Sequence, residues 1–257
     1  MKDNLLAFVV LFGLLFLLLG LGCKQPNKTN TNIDRVGVAR AEKDSLLQAL
    51  LLEKKINGKF EIYVRAFKAE KELEIWVKPL YEPEDSLFRL LKSYVICSAS
   101  GSLGHKNKEG DGQVPEGLYY IRNFNPTSRF YLSLGLNYPS ERDQIRGQKL
   151  GLSASLGSDI YIHGDCVSVG CLALTDDYIK EVYLLAFWAQ NMGQKQVPVH
   201  IFPAKTIVDK EKSAAIRVEF PTEVEAWDNL ANILTFFEQN KRLPIVQLDE
   251  NGFWLIK

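Results

Sequence analysis

Between Ile160 and Asp176 the chain reads Ile-Tyr-Ile-His-Gly-Asp-Cys-Val-Ser-Val-Gly-Cys-Leu-Ala-Leu-Thr-Asp, and this stretch narrows the possible folds more than any other. The apolar residues before His163 predict a buried strand that ends there. Thr175 followed by Asp176 and Asp177 predicts a helix N-terminus. Two glycines and two cysteines therefore occupy a short loop between a strand and a helix, and Gly164 and Gly170 make a fold-back cheap because glycine has no Cβ to clash. A fold-back brings His163 toward Cys171. A thiol just upstream of a helix feels the positive end of the dipole, and a neighbouring imidazole can take its proton; both favour the thiolate. The chemistry indicated is acyl transfer through a thioester on Cys171.

The remainder of the 257 residues has to support such a site, and 46% hydrophobic content is enough for one main domain plus an appendage. Lys plus Arg and Asp plus Glu number 31 each, so net charge gives no reason to expect nucleic acid. Residues Leu5 to Leu21 are almost wholly apolar behind Lys2, and the run stops at Gly22-Cys23-Lys24. This pattern reads as an export signal over residues 1–22 with a lipoprotein-type processing site, Cys23 becoming the lipidated first residue. An uncleaved membrane anchor is the alternative, because the run approaches the roughly 18 residues that can span a bilayer. Both place the rest of the chain outside the cytoplasm, tethered to a membrane.

Export changes the cysteine arithmetic, since exported cysteines can oxidise. With Cys23 lipidated, Cys97, Cys166 and Cys171 remain, an odd number that leaves one thiol free. The expected arrangement is a Cys97–Cys166 disulfide with Cys171 free and reactive. A zinc site made of His163, Cys166, Cys171 and His105 is the rival reading, but the spacing matches none of the paired-cysteine metal motifs. No metal and no cofactor is expected. His105 reads as a loop residue on the surface, and His200, in a strand, as a structural histidine.

In order along the chain, residues 23–38 are a polar linker and 39–57 a helix carrying Leu46, Leu47, Leu50 and Leu51, stopped at Asn57-Gly58. Residues 58–204 form the main domain. Alternation at Phe60, Ile62 and Val64, and again at Leu73, Ile75 and Val77, predicts a hairpin. Further strands are expected at Tyr94–Cys97, Leu118–Ile121, Phe130–Leu134 and Val197–Phe202. A glycine-rich loop spans 98–117, a polar connector precedes Gly151, and a helix runs from Thr175 to about Gln190. Residues 205–257 read as a small helix-plus-hairpin extension, with a capping box at Thr222–Glu225 and a turn at Asn251-Gly252. The fold class is β-rich α+β: a mixed or mostly antiparallel, sandwich-like sheet with a few helices.

Several motifs carry a resemblance to a known family. Pro115-Glu116-Gly117-Leu118-Tyr119, His163-Gly164 and Ser168-Val169-Gly170-Cys171 resemble the signatures of the YkuD-type L,D-transpeptidase catalytic domain. Glu109-Gly110-Asp111 and Asn125-Pro126-Thr127-Ser128-Arg129 bring the sequence closer to its YafK-like branch. The resemblance covers roughly Ile96 to Pro203. It implies cell-wall biogenesis, including cell shape, with peptidoglycan stem peptides as the partner and Cys171 attacking the carbonyl of the third, diamino-acid residue. His163 would take the thiol proton, Ser168 would shape the loop, and the Gly170 and Cys171 amides would form the oxyanion hole. Gly164, Arg129 and Tyr119 would lie on the substrate side.

Two positions depart from the broad family: Val169 stands where many members have histidine, and Ala173 where many have arginine. Arg129, Arg142 or Arg146 is then needed to hold a substrate carboxylate. The departures fit the YafK-like branch, for which hydrolysis is the alternative to cross-linking, as an amidase or carboxypeptidase releasing stem-linked groups or a wall-linked protein. A non-catalytic wall-binding lipoprotein is the third reading.

Overall fold

The alternating segment at Phe60 forms β1 (Phe60–Phe67), paired antiparallel with β2 (Glu72–Pro79) in a register that sets Phe60 opposite Pro79 and Phe67 opposite Glu72. This is seen in a computed structural model, which describes residues 33–80, 87–152 and 155–257. The apolar N-terminal run, Cys23 and the linker up to residue 32 lie outside the described residues. Alternation predicts one wet face for β1, yet both faces are buried. Ile62, Val64 and Ala66 enter the main core, while Tyr63 and Phe67 join two smaller clusters roofed by the C-terminal segment.

The main sheet has eight strands. β3 (Arg89–Val95), β2 and β1 form one side, followed by β8 (Pro198–Phe202), β4 (Gly117–Asn125), β5 (Ser133–Leu136), β6 (Tyr161–His163) and β7 (Leu172–Ala173). Pairing is antiparallel except between β1 and β8 and between β6 and β7. The sheet is therefore mixed, in an α+β domain. β4 pairs with β8 through residues 117–120 and with β5 through 121–125, so the sheet passes from one half to the other along a single strand. The chain just beyond β3 then reaches the opposite edge, where Ser98 bridges Ala173 of β7. The Cys97 and Ala173 amides donate to the Ala173 and Ser98 carbonyls, both at 2.9 Å.

One face of the sheet is covered by α1 (Arg35–Glu53) and α3 (Asp176–Asn191). α1 begins earlier than the leucine pattern predicts, because the Asp34 side chain caps it by accepting from the Gly37 amide at 2.9 Å. Its buried stripe is Ala39, Leu47 and Leu51, with Leu46 exposed. The buried Glu181 on α3 ties this layer together, accepting from Tyr94 at 3.0 Å and pairing with Lys92 at 2.6 Å and Lys43 at 3.4 Å. The connector before Gly151 contains α2 (Glu141–Lys149), which the sequence reading leaves irregular although Ser140 and Asp143 close a capping box there.

The other face is covered by α5 (Val224–Asn240), preceded by the short α4 (Ala214–Glu219), and by a hairpin of β9 (Val246–Leu248) and β10 (Trp254–Ile256). Trp227, Leu230, Ile233 and Leu234 bury against Phe67 and Phe202. The capping box expected at Thr222 does not form: a 3₁₀ turn covers Pro221–Glu223, and α5 starts without a side-chain cap. The fully buried Glu116 fastens the segment to the sheet. It accepts from Trp227 Nε1 and the Gly104 amide, each at 2.7 Å, and pairs with Lys68 at 3.0 Å. Among the described residues no helix is long and apolar enough to cross a membrane.

Candidate active site

Strand β6 delivers His163 into a buried position, and the backbone fixes its tautomer. Nδ1 lies 2.6 Å from the Gly164 carbonyl oxygen, which can only accept, so the ring proton sits on Nδ1. Among the described residues nothing hydrogen-bonds Nε2. The Phe130 ring packs over the imidazole with centroids 4.6 Å apart. Gly164 is required by close packing: its amide donates to the Phe130 and Leu132 carbonyls, and a Cβ there would meet Asp176 Oδ1 at 2.5 Å. Burial pushes the His163 pKa down, so the ring is a neutral base at neutral pH.

Cys97 and Cys166 are joined by a disulfide, leaving Cys171 as the free thiol among the described residues. The zinc set of the sequence reading is thereby broken, since Cys166 is bonded to sulfur and His105 is held between Glu223 and Arg142. Cys171 is half-buried, and its thiol donates to the Asp159 carbonyl at 3.7 Å. Burial raises its pKa, partly offset by a backbone hydrogen bond from Tyr161. The thiolate expected from a helix dipole is thus absent at rest: β7 separates Cys171 from α3, and the dipole fades within the first turn. Thiol and imidazole are both neutral in this state.

The loop around Cys171 is held by two serines. Ser168 Oγ accepts from the Cys171 amide at 3.0 Å and donates to the Cys171 carbonyl at 2.6 Å. Ser100 Oγ accepts from the Gly170 amide at 2.6 Å and donates to the Gly112 carbonyl at 2.7 Å. Gly170 has φ +94°, and a Cβ there would stand 3.2 Å from the Gln113 carbonyl oxygen. Both amides expected to form the oxyanion hole are therefore already donating to serine hydroxyls. Ser100 escaped the sequence reading; its signal was only a serine at the mouth of the glycine-rich loop.

His163, Cys171 and Ser168 line a cavity of about 590 Å³ together with Arg129, Asp159 and Tyr161. Val167 and Val169 form its apolar lip, Val169 being 81% exposed. Arg129 is the only arginine of the three proposed that lines this cavity. Arg142 is buried instead, donating to the Gly252 carbonyl at 3.0 Å and to His105 Nε2 at 2.6 Å beneath the Trp254 ring. It lines a separate cavity of about 720 Å³, as do Arg146 and His105. His105 is buried, against the surface position expected of it, because Glu223 takes Nδ1 and Arg142 takes Nε2. Tyr119 is buried too, with its hydroxyl 3.3 Å from Asp143 Oδ1, and lies outside the Cys171 cavity. His200 Nδ1 and the Tyr63 hydroxyl share a hydrogen bond of 3.0 Å, and burial holds the His200 pKa down to about 3.

A free thiol and a neutral imidazole on one cavity, set in an α+β sheet, define a candidate cysteine acyl-transfer centre. Residues 81–197 match the L,D-transpeptidase catalytic domain, YkuD. Over 197 residues the chain is 32% identical to the "Putative L,D-transpeptidase YafK" of Escherichia coli K12, covering 76% of this chain and 73% of that one. The O157:H7 strain's protein of the same name gives the same figures. The crystal structure of the helical cell shape determining protein Pgp2 from Campylobacter jejuni aligns over 80% of each chain at 18% identity, with a TM-score of 0.44. The chain belongs to the L,D-transpeptidase catalytic domain family.

Proposed function

We propose that the protein is a cysteine L,D-transpeptidase that acts on peptidoglycan stem peptides through a Cys171 thioester. The observation that carries the reading is the placement of the free Cys171 thiol and the unpartnered Nε2 of a neutral His163 on one cavity. In the first step the Cys171 sulfur attacks the carbonyl of the third stem residue while His163 Nε2 takes the thiol proton. Collapse of the adduct breaks the amide bond, and His163 returns the proton to the departing amine. The thioester then passes its acyl group to an acceptor amine. Arg129 on the cavity wall supplies a charge for a substrate carboxylate, replacing the cation that Ala173, buried in β7, cannot provide. We place the catalytic domain outside the cytoplasm, tethered through a lipid on Cys23 or an uncleaved apolar anchor.

Hydrolysis is the second reading, supported by the apolar Val169 and Ala173, which stand where the family resemblance implies histidine and arginine. It uses the same acyl-enzyme with water as acceptor, and would release stem-linked groups or an attached protein. The deciding experiment is intact mass of the chain from residue 24 onward after incubation with tetrapeptide-stem fragments, beside Cys171→Ala. An adduct on the wild type with cross-linked dimers supports transpeptidation. Cleavage without dimers supports hydrolysis, and no adduct and no product supports a non-catalytic wall-binding role.

A further inference from the structure

Strand β5 sets Ser133 directly opposite His163 of β6 in an antiparallel register. Residues paired in this way project their side chains to the same face, with Cβ atoms about 4.5–5.5 Å apart. Ser133 is only 2% exposed, yet it lines the Cys171 cavity. The other hydroxyls of that cavity are committed. Ser128 accepts from the Phe130 amide, Tyr161 donates to Asp159, and Ser168 holds both backbone groups of Cys171. Among the described residues Ser133 Oγ has no hydrogen-bond partner, and it is not sealed away among the buried unpaired atoms, so the hydroxyl is open to whatever occupies the cavity.

We propose that Ser133 orients the acceptor of the second half-reaction against His163, an inference that rests on the acyl-enzyme reading above. The acceptor, an amine or water, donates one hydrogen to His163 Nε2 and a second to Ser133 Oγ, which points its lone pair at the thioester carbonyl carbon. As the new bond to carbon forms, the acceptor's proton passes to His163 Nε2. The C–S bond then breaks with its electron pair going to sulfur, and His163 returns the proton to Cys171. The Ser133 hydroxyl gains and loses no proton in this sequence. The first half-reaction needs no such partner, because the nucleophile there is the tethered Cys171 sulfur. Ser133 therefore acts on deacylation alone, which separates its role from that of an oxyanion donor, a group that would assist both steps.

The test follows the appearance and decay of the Cys171 acyl adduct by time-resolved intact mass, using tetrapeptide-stem fragments with and without an added acceptor amine. Wild type, Ser133→Ala and Ser133→Thr are compared. Ser133→Ala should form the adduct within about two-fold of the wild-type rate and lose it about ten-fold more slowly, the worth of one hydrogen bond. Ser133→Thr, which keeps the hydroxyl, should recover most of the decay rate. Equal slowing of both steps, or decay as fast as in the wild type, overturns the inference. A wild type that forms neither adduct nor product overturns the acyl-enzyme reading and this inference together.

Discussion

The Ser168 hydroxyl closes a ring on Cys171, accepting from its amide at 3.0 Å and donating to its carbonyl at 2.6 Å. One side chain thereby fixes the backbone on both sides of the candidate nucleophile. Ser168→Ala leaves both groups without that partner, so it should cost about 1–3 kcal/mol of stability. Adduct formation should fall by at least ten-fold while the fold persists. Thermal unfolding read beside adduct kinetics checks both, and wild-type kinetics in this variant would refute the positioning role.

Gly170 makes the same point through the backbone. At φ +94°, with the Gln113 carbonyl 3.2 Å from any added Cβ, Gly170→Ala must shift the loop or strain it. We expect a loss of about 1–3 kcal/mol and near-complete loss of adduct formation. Circular dichroism should still report the native fold.

Burial sets the pH dependence of the site from both sides. The His163 pKa is lowered from 6.5, so the base form persists below pH 6.5 and the acid limb of turnover should lie there. The Cys171 pKa is raised from 9.0, so iodoacetamide alkylation should rise with pH to a midpoint above 9.0. The rate–pH profile gives the first value and alkylation the second. An alkylation midpoint below pH 7 would mean a resting thiolate–imidazolium pair instead.

Stability should fall in mild acid. The chain has three histidines, and burial lowers the pKa of each, His200 to about 3. A folded-state pKa below the unfolded one means that the unfolded chain binds more protons between the two values. The associated stability is present in full above about pH 6.5 and is lost as pH drops toward 3. Melting temperature measured across that window should decline, and less steeply in His200→Gln, which removes one of the three titrations.

The disulfide spans 69 residues of sequence, and cross-links over loops of that length contribute about 2–4 kcal/mol by restricting the unfolded chain. Cys97→Ser should lower the midpoint of denaturant unfolding accordingly and raise the count of titratable thiols in the chain from residue 24 from one to two.

The sequence made some of this legible and hid the rest, and the division follows distance along the chain. The β1–β2 hairpin, the Thr175 cap of α3 and the placing of Cys171 and His163 on one cavity rest on local periodicity, local capping and a short loop, so they could be read directly. The failures came where a distant residue competed for a group. His105 is buried rather than on the surface because Glu223, 118 positions later, and Arg142 take its two ring nitrogens. The Gly170 amide already donates to Ser100, 70 positions earlier. Arg142 looked free for substrate until the Gly252 carbonyl and the Trp254 ring enclosed it. Ser133 did leave a trace, as a polar residue within the apolar run Phe130–Leu136, but only the strand register gives that trace a meaning.

The bridge between Ser98 and Ala173 turns an open sheet into a hoop with one joint. Beside that joint the Cys97–Cys166 bond runs from the chain leaving β3 into the loop that carries Cys171. Backbone hydrogen bonds alone would let such a joint breathe as a local opening; a covalent clasp makes opening wait on electrons from outside. The stiffness of the Cys171 loop is thus tied to the redox state of one bond, and its reduction leaves the Cys171 sulfur on an unlatched hoop.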